Sequence, residues 1–300
     1  MIELKNLDKT FQNVHAIDHM NASIKEGMIF GLVGSNGAGK STLLRLIAGV
    51  LMPDKGQVLA DGIPVSENPA AKEKICFLSD TPYFFPNASA AVMRDYYALA
   101  YPRFDCKLFN TLASKLNIDF SRKLNTFSKG MKKQVSILLG ICTGADYLLC
   151  DETFDGLDPV MRQAVKSLFA SELMKRDFTP VIASHNLREL EDICDSIGLI
   201  HNGKLLLTEE LDHLKYHVHK IQCVLPNEAL EQQLIKELTV LQYEKTGSLL
   251  LLTARGTKES LLQCVNRKNP VFAEVLPLTL EEIFISETEV AGYDIKNIIL

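Results

Sequence analysis

The residues with the clearest chemical purpose are Gly34, Ser35, Asn36, Gly37, Ala38, Gly39, Lys40, Ser41 and Thr42. Their order fits the phosphate-binding pattern G-x-x-x-x-G-K-[ST] without a mismatch. Closely spaced glycines let a backbone bend until successive N–H groups point inward around a di- or triphosphate. Lys40 would then reach the terminal phosphates, and the Ser41 hydroxyl would hold Mg²⁺. A second useful pair, Asp151 and Glu152, closes the apolar run Tyr147-Leu148-Leu149-Cys150. A strand ending this way can place a carboxylate beside the phosphate loop, where Asp151 would hold Mg²⁺. Glu152 would face the γ-phosphate, as a base or as the orienter of the attacking water. An acidic turn after a strand is the plainer reading of the pair, and the phosphate loop upstream weighs against it.

These groups need rigid elements behind them. Residues 28–33 read as a short buried strand entering the loop. Residues 41–51 read as the helix leaving it, with Leu43, Leu44, Leu46, Ile47 and Val50 at helical spacing. Such a helix turns its N-terminal N–H groups and positive dipole end toward the phosphates. A glycine-rich turn with a stray lysine is the weaker reading of that order. Residues 1–7 and 16–24 predict strands, residues 57–60 and 63–65 flank the hairpin signal Asp61-Gly62, and residues 74–79 predict another strand. Helix-like patterns at 88–100, 109–116 and 130–140 then suggest an α-helical insertion, about 87–142.

The β/α rhythm returns with a strand at 147–150 and a helix at 159–175, capped by Asp158 with Pro159 in its first turn. A strand at 179–183, a helix at 187–194 and a strand at 196–201 follow, and Asn202-Gly203 turns the chain into 204–207. Strands alternating with helices imply a parallel sheet covered on both faces, with ligands at the strands' C-terminal ends. Beyond about Leu214 the pattern resets. Strands at 221–225, 249–253 and 271–276 and helices at 227–238 and 257–265 suggest a small α+β appendix without a catalytic constellation. The expected boundaries are therefore 1–212 and 213–300.

The 300 residues carry a net charge of −5, which argues against nucleic acid as a main partner because no basic surplus is available for phosphates. No apolar run approaches the ~20 residues needed to cross a bilayer. Residues 1–5 show no signal-peptide character, so a cytosolic chain is expected unless another chain tethers it. The seven cysteines are scattered without a C-x-x-C pair, and most lie in apolar runs, as small buried hydrophobes in a reducing compartment do. His213, His217 and His219 could be a metal cluster or an ordinary solvated helix end; no carboxylate or cysteine completes a ligand spacing.

With these motifs in this order, residues 1–210 resemble the ATPase subunits of ABC transporters. The resemblance implies a P-loop NTPase core of the ABC ATPase type, α/β in class, with an antiparallel β subdomain, an α-helical subdomain and the C-terminal α+β domain. It implies ATP and Mg²⁺ as cofactors. Phe11 matches the aromatic that stacks on adenine, for which any π-face serves; a plain core residue is the other reading. Phe127-Ser128-Lys129-Gly130-Met131 matches the family signature L-S-G-G-Q in its serine and second glycine. Ser128 is a plausible N-cap, and the resemblance implies that Ser128 and Gly130 contact the γ-phosphate held by an opposite subunit. Gly156-Leu157-Asp158 matches the loop that crosses the dimer interface, and His185 the histidine that contacts the γ-phosphate. Where the family usually has Gln, sometimes Glu, this chain has Asp80, a shorter acid that can still coordinate Mg²⁺ through a water. Tyr83, Phe84 and Phe85 lie between Pro82 and Pro86, either as an internal hydrophobic staple or as a groove for a helix of a membrane partner.

Phe127-Ser128-Lys129-Gly130-Met131-Lys132-Lys133-Gln134 and the segment 278–285 further resemble ATPases of ABC-2-type exporters, which implies a separately encoded transmembrane permease. Export of a peptide, antibiotic or lipid-like cargo follows, with the chain peripheral on the inner face of the cell membrane and paired in a homodimer or heterodimer. Nucleic acid is not an expected partner. The alternative is a non-transport ABC ATPase acting on a nucleoprotein, which would usually carry tandem cassettes, a long coiled coil or basic arms. A regulatory GTPase would need an N-K-x-D base-reading motif, and the chain has none.

Overall fold

Runs that are apolar throughout form strands buried on both faces, and runs that alternate form strands with one solvated face. The computed structural model, which describes residues 1–290, contains both kinds. By contacts it divides into two units, Met1–Thr208 and a second beginning at Glu209.

In the first unit, β1 (Ile2–Phe11) pairs antiparallel with β2 (Val14–Ile24) and with β4 (Lys55–Ala60). β5 (Ile63–Pro64) folds back on β4 through Asp61 and Gly62, both left-handed (φ 52° and 76°), as a tight hairpin needs. The second sheet holds β3 (Phe30–Val33), β6 (Ile75–Leu78), β7 (Tyr147–Asp151), β8 (Thr179–Ser184), β9 (Ser196–His201) and β10 (Lys204–Glu210), in the order β10-β9-β3-β8-β7-β6. Strands β3 and β6 to β9 are parallel. Every residue of β3, β7 and β8 is buried.

The helix after the loop, α1 (Lys40–Ile47), buries Leu43, Leu44, Leu46 and Ile47 in one core with Ile2 and Val58 of the antiparallel sheet and Leu149 and Val181 of the parallel sheet. Each such side chain contributes about 1.5–3 kcal/mol by leaving water. The helix ends sooner than its apolar pattern suggests. Gly49 (φ 64°) donates to Leu46 O and Val50 N–H to Arg45 O, a paired C-terminal closure that leaves Val50 exposed. The short α2 (Pro69–Lys72) precedes β6.

Between β6 and β7 lie α3 (Ala90–Ala100), α4 (Cys106–Lys115), a 3₁₀ turn (Leu124–Thr126) and α5 (Lys129–Cys142). They share a core that includes Met93, Phe109, Leu112, Leu124, Val135 and Leu138. Ser89, Asp105 and Ser128 cap the three helices by accepting from the N–H groups of Val92, Leu108 and Met131. Each cap is worth about 1 kcal/mol. Asp158 caps α6 (Pro159–Leu173) in the same way through Met161 N–H, as its sequence suggests, and Asn186 caps α7 (Leu187–Ile193).

The second unit opens with α8 (Leu211–His217) and runs β11 (Val218–Val224), α9 (Glu228–Glu237), β12 (Thr239–Thr246), β13 (Leu249–Arg255), α10 (Lys258–Asn266), β14 (Phe272–Leu276) and α11 (Leu280–Val290). Its antiparallel order, β12-β13-β11-β14, with a helix after β11 and another after β13, is the split βαβ arrangement. Ile221, Cys223, Leu234, Leu252, Leu261 and Val265 make its core. β12 has no counterpart in the sequence reading. It is an edge strand, and its polar run Gln242-Tyr243-Glu244-Lys245-Thr246 carries no apolar alternation.

Candidate functional site

The parallel strands β3, β8, β7 and β6 stand side by side, and their C-terminal ends carry Gly34, His185, Glu152 and Asp80 in that order. The phosphate loop is pressed against its neighbours. A Cβ on Gly34 would lie 2.3 Å from Ile200 O. Gly39 has φ 112°, and a Cβ there would meet Ala16 O at 2.4 Å. Only glycine fits either place. Ser35, Asn36 and Gly37 form the exposed tip, while Ala38 is buried below it and accepts from Gly203 N–H at 2.9 Å. Lys40 is 4% exposed, and its Nζ donates to Gly34 O (2.8 Å) and Ser35 O (3.0 Å). Burial lowers the Lys40 pKa, and the carboxylates of Glu152, Asp151 and Asp155 oppose that. Ser41 Oγ donates to Asp151 Oδ1 at 2.8 Å, and Thr42 is half-buried beside it. Burial pushes the Asp151 carboxyl up, against the Ser41 hydrogen bond. A hydroxyl and a carboxylate side by side are hard oxygen donors of the kind Mg²⁺ takes, so this pair fits the ion.

Glu152 follows β7 with φ 46°, a left-handed backbone rare for a residue with a long side chain. Its N–H donates to Ala183 O at 3.0 Å. Its Oε1 lies 3.4 Å from His185 Nδ1 and 3.8 Å from Lys40 Nζ. Asp155, which the sequence reading passes over, also faces His185, with Oδ2 3.7 Å from Nδ1. Lys40, Ser41, Asp151, Glu152 and His185 are thus brought together from three strand ends.

Asp80 is placed differently from the expectation of a metal ligand. Its Oδ1 accepts from Lys133 Nζ at 2.9 Å, and this bond holds the carboxyl below its usual range against the effect of burial. The same Nζ donates to Glu152 O at 2.7 Å. Lys133 is fully buried (0% exposed) and was missed from sequence, although Lys133, Ile137 and Gly140 share one helix face by their spacing.

Ser128, Gly130 and Asp158 form a second group. Ser128 and Asp158 are exposed caps, and a Cβ on Gly130 would sit 3.3 Å from Gly156 O, so the start of α5 lies against the 153–158 loop. Phe11 is 44% exposed at the end of β1, which excludes a plain core role. Its partner in register is Val14, at the start of the strand whose Ala16 touches Gly39.

The two readings of the aromatic segment divide between its residues. Phe84 packs on the core of α3, α4 and α5, as a staple would. Tyr83 (74% exposed) and Phe85 line a cleft of about 580 Å³ with Tyr96, Tyr97 and Tyr101. His213 and His217 lie on α8 with rings 4.1 Å apart, whereas His219 sits on β11 and engages Gly256 O through Nδ1. Five of the seven cysteines are buried. No helix among the described residues is long and apolar enough to cross a membrane.

Comparison with known proteins places this geometry in a family. The family description "ABC transporter" matches residues 17–155. The ABC transporter ATP-binding protein YtrB of Bacillus subtilis is 31% identical over 287 residues, covering 96% of this chain and 98% of YtrB. The bacitracin transport ATP-binding protein BcrA of Bacillus licheniformis is 31% identical over 223 residues, covering 72% of this chain and 71% of BcrA. Among solved structures, an ATP-binding cassette in a dimeric post-hydrolysis state with ADP and phosphate aligns with TM-score 0.63 at 21% identity, over 70% of this chain and 99% of that one. Similarity to YtrB over nearly the whole length decides the matter: the chain belongs to the ABC transporter family, as one of its ATP-binding, ATP-hydrolysing proteins.

Proposed function

We propose that the group around Glu152 carries the hydrolysis and that the group around Ser128 completes the site of a second subunit. The observation that supports this most is the convergence on Glu152 Oε1, with Lys40 Nζ at 3.8 Å and His185 Nδ1 at 3.4 Å at the ends of adjacent strands. A carboxylate placed there accepts a proton from, or orients, a water attacking the γ-phosphate. Lys40 offers a buried positive charge to the transferring phosphoryl group, and His185 a ring N–H. The N–H groups and dipole at the start of α1 hold the phosphates in place. Ser41 and Asp151 would hold Mg²⁺, which when bound supplies positive charge to the phosphate oxygens.

Ser35 to Thr42 enclose one side of the nucleotide and Phe11 stacks on its base. The exposed Ser128 and Asp158, with the half-buried Gly130, close over the nucleotide of a second copy or of a related ATPase. Two nucleotides then lie in the interface, and hydrolysis weakens it by replacing one anion with two. The cleft at Tyr83 and Phe85 receives an apolar helix of a separate transmembrane permease, which keeps the chain on the inner face of the membrane. The cargo is a peptide, antibiotic or lipid-like molecule carried outward, and bacitracin transport in the BcrA name supports the antibiotic class.

Glu152→Gln tests the assignment. It keeps the shape and removes the base, so turnover falls at least ~100-fold while ATP affinity holds and a nucleotide-bound dimer accumulates on gel filtration. Wild-type turnover in that variant would remove Glu152 from the mechanism.

A further inference from the structure

A fully buried lysine ammonium is costly to leave without partners, so the groups that hold it say what it is for. Lys133, in the second turn of α5, has two acceptors that are distant in sequence. One is the Asp80 carboxylate (Oδ1, 2.9 Å) at the end of β6, and the other is the main-chain carbonyl of Glu152 (2.7 Å) at the end of β7. Glu152 is the residue whose backbone is left-handed at φ 46°. For a residue with a Cβ that conformation is strained and persists only where the surroundings over-determine it.

Both peptide groups of Glu152 are tied. Its N–H is held by Ala183 O of β8 at 3.0 Å, and its C=O by Lys133. With both peptides fixed, the Cα–Cβ direction is fixed as well, and it sends the carboxylate toward His185 and Lys40. Asp80 completes the arrangement as the counter-ion of Lys133.

We infer that Lys133 is a positioning residue for hydrolysis, with Asp80 as its charge partner: it holds Glu152 in the left-handed backbone that aims the carboxylate at the reacting phosphate. The inference rests on the role proposed above for Glu152. It assigns Asp80 a task other than metal coordination, carried out through a lysine 53 positions away in sequence.

The test compares Lys133→Met, Lys133→Gln, Asp80→Asn and the double variant Asp80→Asn/Lys133→Gln, with turnover expressed per nucleotide-binding site from titration with a fluorescent ATP analogue. Lys133→Met is expected to lower kcat about 10- to 100-fold, with KM and nucleotide affinity within about 2-fold of wild type. The double variant, which replaces the ion pair by a neutral amide pair, is expected to turn over faster than either of its single variants. In a Glu152→Gln background, Lys133→Met is expected to change the residual turnover by less than about 2-fold, because Lys133 acts through Glu152. If Lys133→Met fails to fold, Lys133→Gln carries the same measurements. An unchanged kcat per site would overturn the inference. So would a loss shared by kcat and affinity alike, or a double variant that shows only the product of the single effects. These results are separate from failure of the underlying reading, which would show as wild-type turnover in Glu152→Gln alone.

Discussion

Two glutamates show how the two units differ. Glu231 in the second unit is buried in the first turn of α9 and bonded to Lys245 at 2.6 Å, where a helix favours negative charge. The core of that unit, with Leu234, Leu252 and Leu261, is apolar, and the non-glycine left-handed residue among the described residues of that unit is Asn269, a type suited to the conformation. Glu152 in the first unit follows neither habit. Its backbone is left-handed, its carboxylate is 24% exposed, and the buried charges of Lys40, Asp151 and Lys133 surround it. The second unit keeps an apolar core and pairs its buried glutamate with one lysine. The first unit also has left-handed backbone at the exposed Gln12, His19 and Glu67, but at Glu152 that conformation coincides with buried charges, and there the chemistry converges.

The contrast can be broken by showing that the charges of the first unit are merely structural. Lys40→Met should lower turnover about 1,000-fold, roughly 4 kcal/mol in the transition state, and leave the unfolding midpoint in urea nearly unchanged. A variant that unfolded instead would make Lys40 a core residue and erase the difference between the units. Leu252→Ala runs the other way. It should destabilise the second unit by about 3 kcal/mol in denaturant, while ATP binding by Lys40 and Ser41 persists. Phe11→Ala should weaken ATP binding about 10-fold with similar chemistry at saturation. Unchanged affinity would leave that exposed ring without a part in the site.

Asp80→Asn gives the smallest and most discriminating effect. Lys133 depresses the Asp80 pKa in the folded protein, so its ionised form stabilises the fold above the ordinary aspartate value near 3.9. That contribution is lost as pH falls through the depressed folded value. The stability advantage of wild type over Asp80→Asn should therefore be full at pH 7 and vanish in acid, which unfolding curves at several pH values would show. A difference independent of pH would mean that the ion pair does not stabilise the fold.

The phosphate loop, both acids after β7 and His185 were legible because each ends a strongly apolar strand, and short-range pattern suffices for that. Asp158 and Ser128 were legible as caps for the same local reason. Lys133 was not. Its partner lies on another strand, and a Lys-Lys pair on a helix normally reads as a solvated face. Asp80 was expected at the metal from the family resemblance, and nothing local reveals its bond to Lys133 across the fold. Val50 was misplaced because apolar spacing continues past the Gly49 closure that ends α1. β12 was missed because a strand that pairs, among the described residues, with β13 alone needs little apolar character.

The left-handed backbone at Glu152 also bears on how this protein would respond to selection for heat resistance. Glycine at that position would relieve about 1 kcal/mol of backbone strain, so Glu152→Gly is a candidate stabilising change that also deletes the proposed base. A library screened for surviving heat alone would tend to accumulate it. One screened for survival and turnover together would reject it, and the loss of Glu152 from the first pool would measure what the site gives up in stability to work.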